Sequence, residues 1–266
     1  MIKLCVLDLD GTLLNDGRLF DDDRKNLVEI QKRGITLMLA TGRNMQEVVQ
    51  FVEKLELKGY QGIVTYSDGQ YLYDFKDHTY REFEYLDYAE DVQRIYKLYK
   101  GKRPVSLYSK KLDYQLYRSR FSKNYIKQNI KKAFQRSKIK ILLANRKYSI
   151  SDIDKVAFYA AEGELALSKL KQDYGVIYTN DKQRYELKHK NVNKARAVKE
   201  IVTKYRFTND EIVVFGNDEN DICLFEEYHN SFCMKEADVY TRSKARNLIS
   251  REDIVPTIYR LIEGLT

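Results

Sequence analysis

Tryptophan is absent, and proline, cysteine and histidine are scarce, with two, three and three residues in a chain of 266. So few prolines (Pro104 and Pro256) exclude long proline-rich linkers. Cys5, Cys223 and Cys233 are odd in number, widely spaced and without a Cys-x-x-Cys pair. That excludes a disulfide framework and a zinc site, and predicts reduced thiols in a cytoplasmic protein. His78, His189 and His229 show no metal-ligand spacing. Long apolar runs are missing as well. The opening "MIKLCVLDLDGTLL" is broken by Asp8 and Asp10 before a signal-peptide core forms. No stretch approaches the ~18 apolar residues of a bilayer span, so no membrane partner is expected.

With 43% hydrophobic and 32% charged residues, the composition is that of a globular protein of one large or two modest domains. The net charge of +8 is unevenly placed. Glu82–Lys188 holds 24 Lys+Arg against 13 Asp+Glu, and the remainder 23 against 26. A basic middle within a slightly acidic frame predicts one domain inserted into another, with the middle attracting anions.

The frame alternates strand and helix patterns. "KLCVLDL", "ITLMLATGR" and "GIVTYSDG" read as buried strands, separated by the amphipathic helices "DDDRKNLVEIQKRG" and the Asn-capped "NMQEVVQFVEKLEL". After Asn193 the same texture returns in "NKARAVKEIVTKY", "EIVVFGND", "ENDICLFEEY" and "EDIVPTIYRLIEGL". Such strands separated by helices predict a parallel α/β sheet covered on both faces. Between the two halves, "QYLYDFKDHTYREFEY" and "PVSLYSKKLDYQLY" alternate as hairpins do. "AEDVQRIYKLYK" and "SKNYIKQNIKKAFQR" read as helices, the latter with Ile130 and Phe134 turned inward.

In open α/β sheets, ligands gather outside the carboxyl ends of the strands. Asp8-Leu9-Asp10, Thr41-Gly42-Arg43 and Gly216–Asp221 stand at such ends, and Lys194 at a helix start. Together they suit phosphoryl transfer. The Asp8 carboxylate can attack phosphorus, and Asp10 can protonate a leaving alkoxide and later activate water. The Thr41 hydroxyl and Gly42 amide can grip phosphoryl oxygens, and Lys194 supplies positive charge. So many acids facing an anionic substrate call for a hard cation, which magnesium supplies. Each piece alone is commonplace; Thr-Gly-Arg occurs in many loops, and "GNDEND" could be turn and cap residues. An EF-hand reading of "DLDGTLLNDGRL" fails, because Leu13 stands where that loop needs glycine.

Asp8–Leu14 ("DLDGTLL"), Thr41-Gly42-Arg43, Lys194 and "GNDENDI" resemble the four motifs of the haloacid dehalogenase (HAD) superfamily. The insertion between the second and third motifs is similar to the type IIB cap of its Cof-type subfamily. The resemblance spans the whole chain. It implies a Rossmann-like core over 1–81 and 189–266 with an α+β cap over 82–188 that selects the substrate. It also implies a magnesium-dependent phosphatase forming an aspartyl-phosphate on Asp8, with Asp10 as general acid/base. Leu9, Thr41, Gly42, Lys194 and Asn220 would then bind phosphate, and Asp8, the Asp10 carbonyl, Asn217 and Asp221 the metal.

Two positions depart from that pattern: Asn217 stands where an acid is usual, leaving Asn217 or Asp218 as ligand, and Asp68-Gly69 replaces Asn-Gly. The expected partner is a small phosphorylated metabolite, sugar phosphates first, handled by a monomer or weak homodimer. Two alternatives remain: a sugar phosphomutase on the same core, and a nucleic-acid-binding protein using the basic middle, which holds 13 of the 22 tyrosines. Intact Asp8, Asp10, Lys194 and Asp221 favour the enzyme over nucleic-acid binding.

Overall fold

Asp21, Asp22 and Asp23 open the first helix and Gly34, in the left-handed region at φ +87°, follows its end, as helix-terminal electrostatics and backbone freedom favour. The computed structural model describes residues 1–99, 103–110, 112–118, 139–160, 167–179 and 184–264. The first segment runs β1 (Leu4–Leu7), α1 (Asp21–Lys32), β2 (Thr36–Ala40), α2 (Met45–Lys54), β3 (Ile63–Tyr66), β4 (Tyr71–Asp74) and β5 (Thr79–Glu82). The middle carries a π-helical turn (Tyr88–Val92) leading into α3 (Gln93–Leu98). It continues with β6 (Val105–Ser109), β7 (Tyr114–Tyr117), β8 (Lys140–Leu143), β9 (Ile153–Tyr159), α4 (Leu167–Leu170), β10 (Tyr174–Thr179) and β11 (Arg184–His189). The last segment holds α5 (Lys194–Tyr205), β12 (Ile212–Gly216), α6 (Ile222–Glu227), β13 (Asn230–Met234), α7 (Val239–Arg242), β14 (Asn247–Ile249) and α8 (Ile254–Glu263).

The chain divides into two compact units, Met1–Phe83 with Val192–Thr266, and Glu84–Asn191. Phe83 packs in the same core as Leu72 and Val192, which is why the first unit reaches that far. Its sheet has the order β14-β13-β12-β1-β2-β3-β4-β5. From β14 to β3 all neighbours are parallel, and every residue of β1, β3 and β12 is buried. The aromatic-polar segment after Gln70 extends this sheet as an antiparallel hairpin, since a short turn permits only that direction. In the register, Leu7 of β1 lies beside Phe215 of β12 and Leu39 of β2. The three strands therefore end together, and the loops that follow them emerge side by side.

The α2 start is fixed by a capping box in which the Asn44 side chain and Glu47 each bind the other's backbone N–H. In the second unit the sheet order is β10-β11-β9-β6-β7-β8, antiparallel throughout apart from the parallel β7–β8 pair. Leu107, Val156, Phe158 and Leu187 form its core with Tyr88, Val92, Ile95 and Tyr99. The helix expected over 122–136, with Ile130 and Phe134, lies outside the described residues, as do residues 180–183 between β10 and β11. Among the described residues no helix is long and apolar enough to cross a membrane.

Candidate active site

β1 stops one residue short of Asp8, whose N–H still donates to Phe215 O at 3.0 Å. That bond holds the carboxylate at the mouth of the central strand, where it is buried. Lys194 is the first residue of α5, behind an Asn193 cap whose side chain accepts from the Arg196 N–H. Its Nζ, fully buried, lies 2.7 Å from Asp8 Oδ1 and 2.6 Å from Asp221 Oδ1. A buried charge is tolerable only when paired, and this ammonium is paired twice.

Burial alone would lower the Lys194 pKa, but the carboxylates of Asp221, Asp8 and Asp68 outweigh it and hold the ammonium above its ordinary value. Burial pushes the Asp8 carboxyl up, to about 7, with Lys194 opposing. Asp8 Oδ2 accepts no hydrogen bond among the described residues. Asp221 Oδ2 accepts the amides of Asn217 (2.9 Å) and Asp218 (3.2 Å). Both Asp221 oxygens are thus bound by the chain's own donors, and its carboxylate holds Lys194 and the loop together. Gly216 is required beside it, since a Cβ there would lie 2.5 Å from Asp221 Cγ.

Asp10 is exposed and gripped at two points by Arg43, with Nε 2.7 Å from Oδ2 and Nη2 2.5 Å from Oδ1. Arg43 belongs to the Thr41-Gly42-Arg43 stretch, yet sequence reasoning assigned it no task. Its signal was its place at the end of β2, next to the strand that carries Asp10. Asn217 Oδ1 accepts the Thr12 hydroxyl at 3.1 Å, and the Asp218 carboxylate caps the Glu219 N–H. Gly11 admits the Asn217 side chain, because a Cβ there would meet Asn217 Nδ2 at 2.3 Å.

Thr41 is buried, and its Oγ1 accepts the Arg43 N–H at 3.2 Å. The amides of Leu9 and Gly42 have no partner among the described residues. Asn220 Nδ2 donates to Asp68 Oδ1 at 2.7 Å. Asp8, Asp10, Gly42, Arg43, Asn217 and Asn220 line one cleft of about 260 Å³, with Lys194 bonded to Asp8 at its wall.

The donors available to a cation here are oxygens: the Asp8 and Asp218 carboxylates, the Asn217 amide oxygen and backbone carbonyls. Among the described residues no three carboxylate, imidazole or thiolate groups form a ready cage. A mixed oxygen set with few carboxylates fits magnesium, which retains several waters and does not need an all-protein shell.

The haloacid dehalogenase-like hydrolase family matches residues 5–257. A 5-amino-6-(5-phospho-D-ribitylamino)uracil phosphatase of Bacillus subtilis is 24% identical over 228 residues, covering 85% of this chain and 81% of that protein. Among solved structures, a HAD subclass IIB sugar phosphatase superposes with a TM-score of 0.73 at 15% identity, covering 99% of this chain and 100% of that one. A haloacid dehalogenase-like hydrolase from Bacillus subtilis gives 0.72 at 18% identity, covering 98% and 99%. The chain belongs to the haloacid dehalogenase-like hydrolase family, as a Cof-type member and a phosphoric monoester hydrolase.

Proposed function

We propose that this phosphatase is magnesium-dependent and hydrolyses small phosphorylated sugars or sugar alcohols through an aspartyl-phosphate on Asp8. The observation that carries the reading is the Lys194 ammonium bound to one oxygen of Asp8, a residue lining the cleft, while its other oxygen accepts no hydrogen bond among the described residues. Asp8 Oδ2 attacks phosphorus, and Asp10 gives a proton to the departing alkoxide. Asp10 then takes a proton from the water that attacks phosphorus, the acyl-phosphate P–O bond breaks, and Asp8 is restored. Arg43 holds the Asp10 carboxylate in the free enzyme and releases it as substrate arrives, when Asp10 takes up from solvent the proton it then gives to the alkoxide. The amides of Leu9 and Gly42, the Thr41 hydroxyl, Lys194 and Asn220 hold the phosphoryl oxygens. Magnesium, held by Asp8, the Asp10 carbonyl and the Asn217–Asp218 segment, would offset the charge between these acids and the phosphate.

Asp221 takes part by holding Lys194. Glu84–Asn191 supplies selection for the leaving group, and its positive balance draws in anions. The phosphorylated ribityl and sugar compounds named for two of the relatives support the substrate class. We place the enzyme in the cytoplasm, as a monomer or weak homodimer.

The test is phosphate release from a panel of sugar phosphates, sugar-alcohol phosphates, flavin mononucleotide and pyridoxal phosphate, with magnesium and with chelator. Metal-dependent release, fastest for the first two classes, is expected. Undiminished turnover after exhaustive metal removal would overturn the magnesium assignment, and transfer within a sugar without release would make the enzyme a mutase. A second expectation concerns Asn217. A carboxylate binds magnesium better than an amide, so Asn217→Asp should lower the magnesium dissociation constant by roughly tenfold in calorimetry. If Asp218→Ala abolishes binding while Asn217→Asp changes nothing, Asp218 is the ligand.

A further inference from the structure

The turn between β3 and β4 places in the site a carboxylate that the reaction above does not use. Ser67, Asp68 and Gly69 all have left-handed backbone, with φ of +50°, +51° and +91°. Such conformations are strained for residues other than glycine and persist where surrounding contacts enforce them. Here the Ser67 N–H donates to Arg43 O at 2.8 Å and the Asp68 N–H to Thr41 O at 2.9 Å. Gly69 lies so close to the start of α5 that a Cβ would stand 2.2 Å from Asn193 O. The turn is therefore fastened both to the loop after β2 and to the cap of the Lys194 helix.

Its product is the placement of the Asp68 side chain, which is 4% exposed. Oδ1 accepts Asn220 Nδ2 at 2.7 Å, and a Cβ on Gly42 would lie 2.6 Å from the same oxygen. One carboxylate thus touches Gly42 and Asn220, both taken above as phosphate contacts. A carboxylate can only accept, so the Asn220 carboxamide must present its nitrogen to Asp68. Asn220 Oδ1 is left buried and without a hydrogen-bond partner among the described residues. Buried polar atoms are seldom left so, and the cost is explicable when the orientation is wanted.

We propose that Asp68 is a positioning residue of the phosphate site: it holds Asn220 Nδ2 and thereby keeps that nitrogen's second hydrogen as a donor to a phosphoryl oxygen. This rests on Asn220 being a phosphate contact, and the test separates the two claims. Binding of inorganic phosphate is measured by calorimetry with magnesium present, for the full-length protein and its variants, alongside thermal melts.

Asn220→Ala and Asp68→Ala should each weaken phosphate by about tenfold, the scale of one lost hydrogen bond. The double variant should be no more than about twofold weaker than either single one, because both remove the same donor. Asp68→Asn, whose Oδ1 can accept the same bond, should return affinity to within about threefold of the wild type. If Asp68→Ala does not fold, Asp68→Gly takes its place, being free of strain in the left-handed turn and without a side chain to reach Asn220. Effects that multiply in the double variant, or a Tm loss with phosphate affinity unchanged, would overturn the role of Asp68. Unchanged affinity in Asn220→Ala would instead overturn the phosphate contact on which it rests.

Discussion

Replacing Asp8 by asparagine is expected to lower kcat by at least about a thousandfold while the protein stays folded, because an amide oxygen cannot take the place of the attacking carboxylate. The amide can still accept the Lys194 bond now made by Asp8 Oδ1 at 2.7 Å. It is also free of the burial penalty that pushes the Asp8 carboxyl up to about 7. The thermal midpoint without metal should therefore hold or rise. The check is kcat with 4-nitrophenyl phosphate beside a circular dichroism melt. Turnover near the wild-type rate in a folded Asp8→Asn protein would contradict a nucleophilic role.

The second large effect is that of Lys194→Met, which should damage stability and activity together. The side chain is fully buried, and its removal leaves the Asp8 and Asp221 carboxylates without their shared cation. Stranding buried charge in this way typically costs about 3–5 kcal/mol. The deficit should depend on pH, with a definite sign. Asp8 has a folded-state pKa of about 7, above its ordinary 3.8, chiefly through burial. A carboxyl raised in this way favours the folded state while protonated and withdraws that support as pH rises through the folded value. Without Lys194 the value climbs further. In chelator, the variant's loss of Tm should be smallest up to about pH 7 and widen above it, where Asp8 has ionised in the wild type and still resists ionising in the variant. A deficit independent of pH would mean that Lys194 contributes packing and not charge.

Much of this site was legible from the chain. The apolar runs before Asp8, Thr41 and Gly216 mark buried strands, and in a parallel sheet their ends converge. The helical pattern of "NKARAVKEIVTKY" placed Lys194 at the start of α5, where the structure has it. The pairings of the polar groups were not legible. Arg43 on Asp10 and Asn220 on Asp68 join loops 33 and 152 residues apart, and the second depends on a left-handed turn. Spacing along a chain carries no trace of such contacts. The double engagement of Asp221 was hidden for the same reason, since it depends on two backbone amides folding back around its carboxylate.

Short elements were lost too. β13 ("NSFCM"), α7 ("VYTR") and β14 ("NLI") are too brief and mixed in polarity to show a period, and tertiary pairing makes them. The β4–β5 hairpin was visible in its aromatic-polar alternation, but its attachment to the core sheet through β3 was not. Edge pairing follows from what the neighbouring strand offers, and alternation alone does not name the neighbour.

The central claim is that phosphate passes through Asp8, and trapping tests it most directly. The Asp10→Asn enzyme is mixed with 4-nitrophenyl phosphate and magnesium, since this leaving group needs no proton donor while water attack on the intermediate still needs the Asp10 carboxylate to accept a proton. The mixture is quenched, reduced with borohydride and digested, and the peptide containing Asp8 is read by mass spectrometry. The account predicts reduction of an acyl phosphate to homoserine at position 8, with a burst of nitrophenolate close to one per enzyme. Steady release of nitrophenolate with position 8 left as aspartate would contradict it.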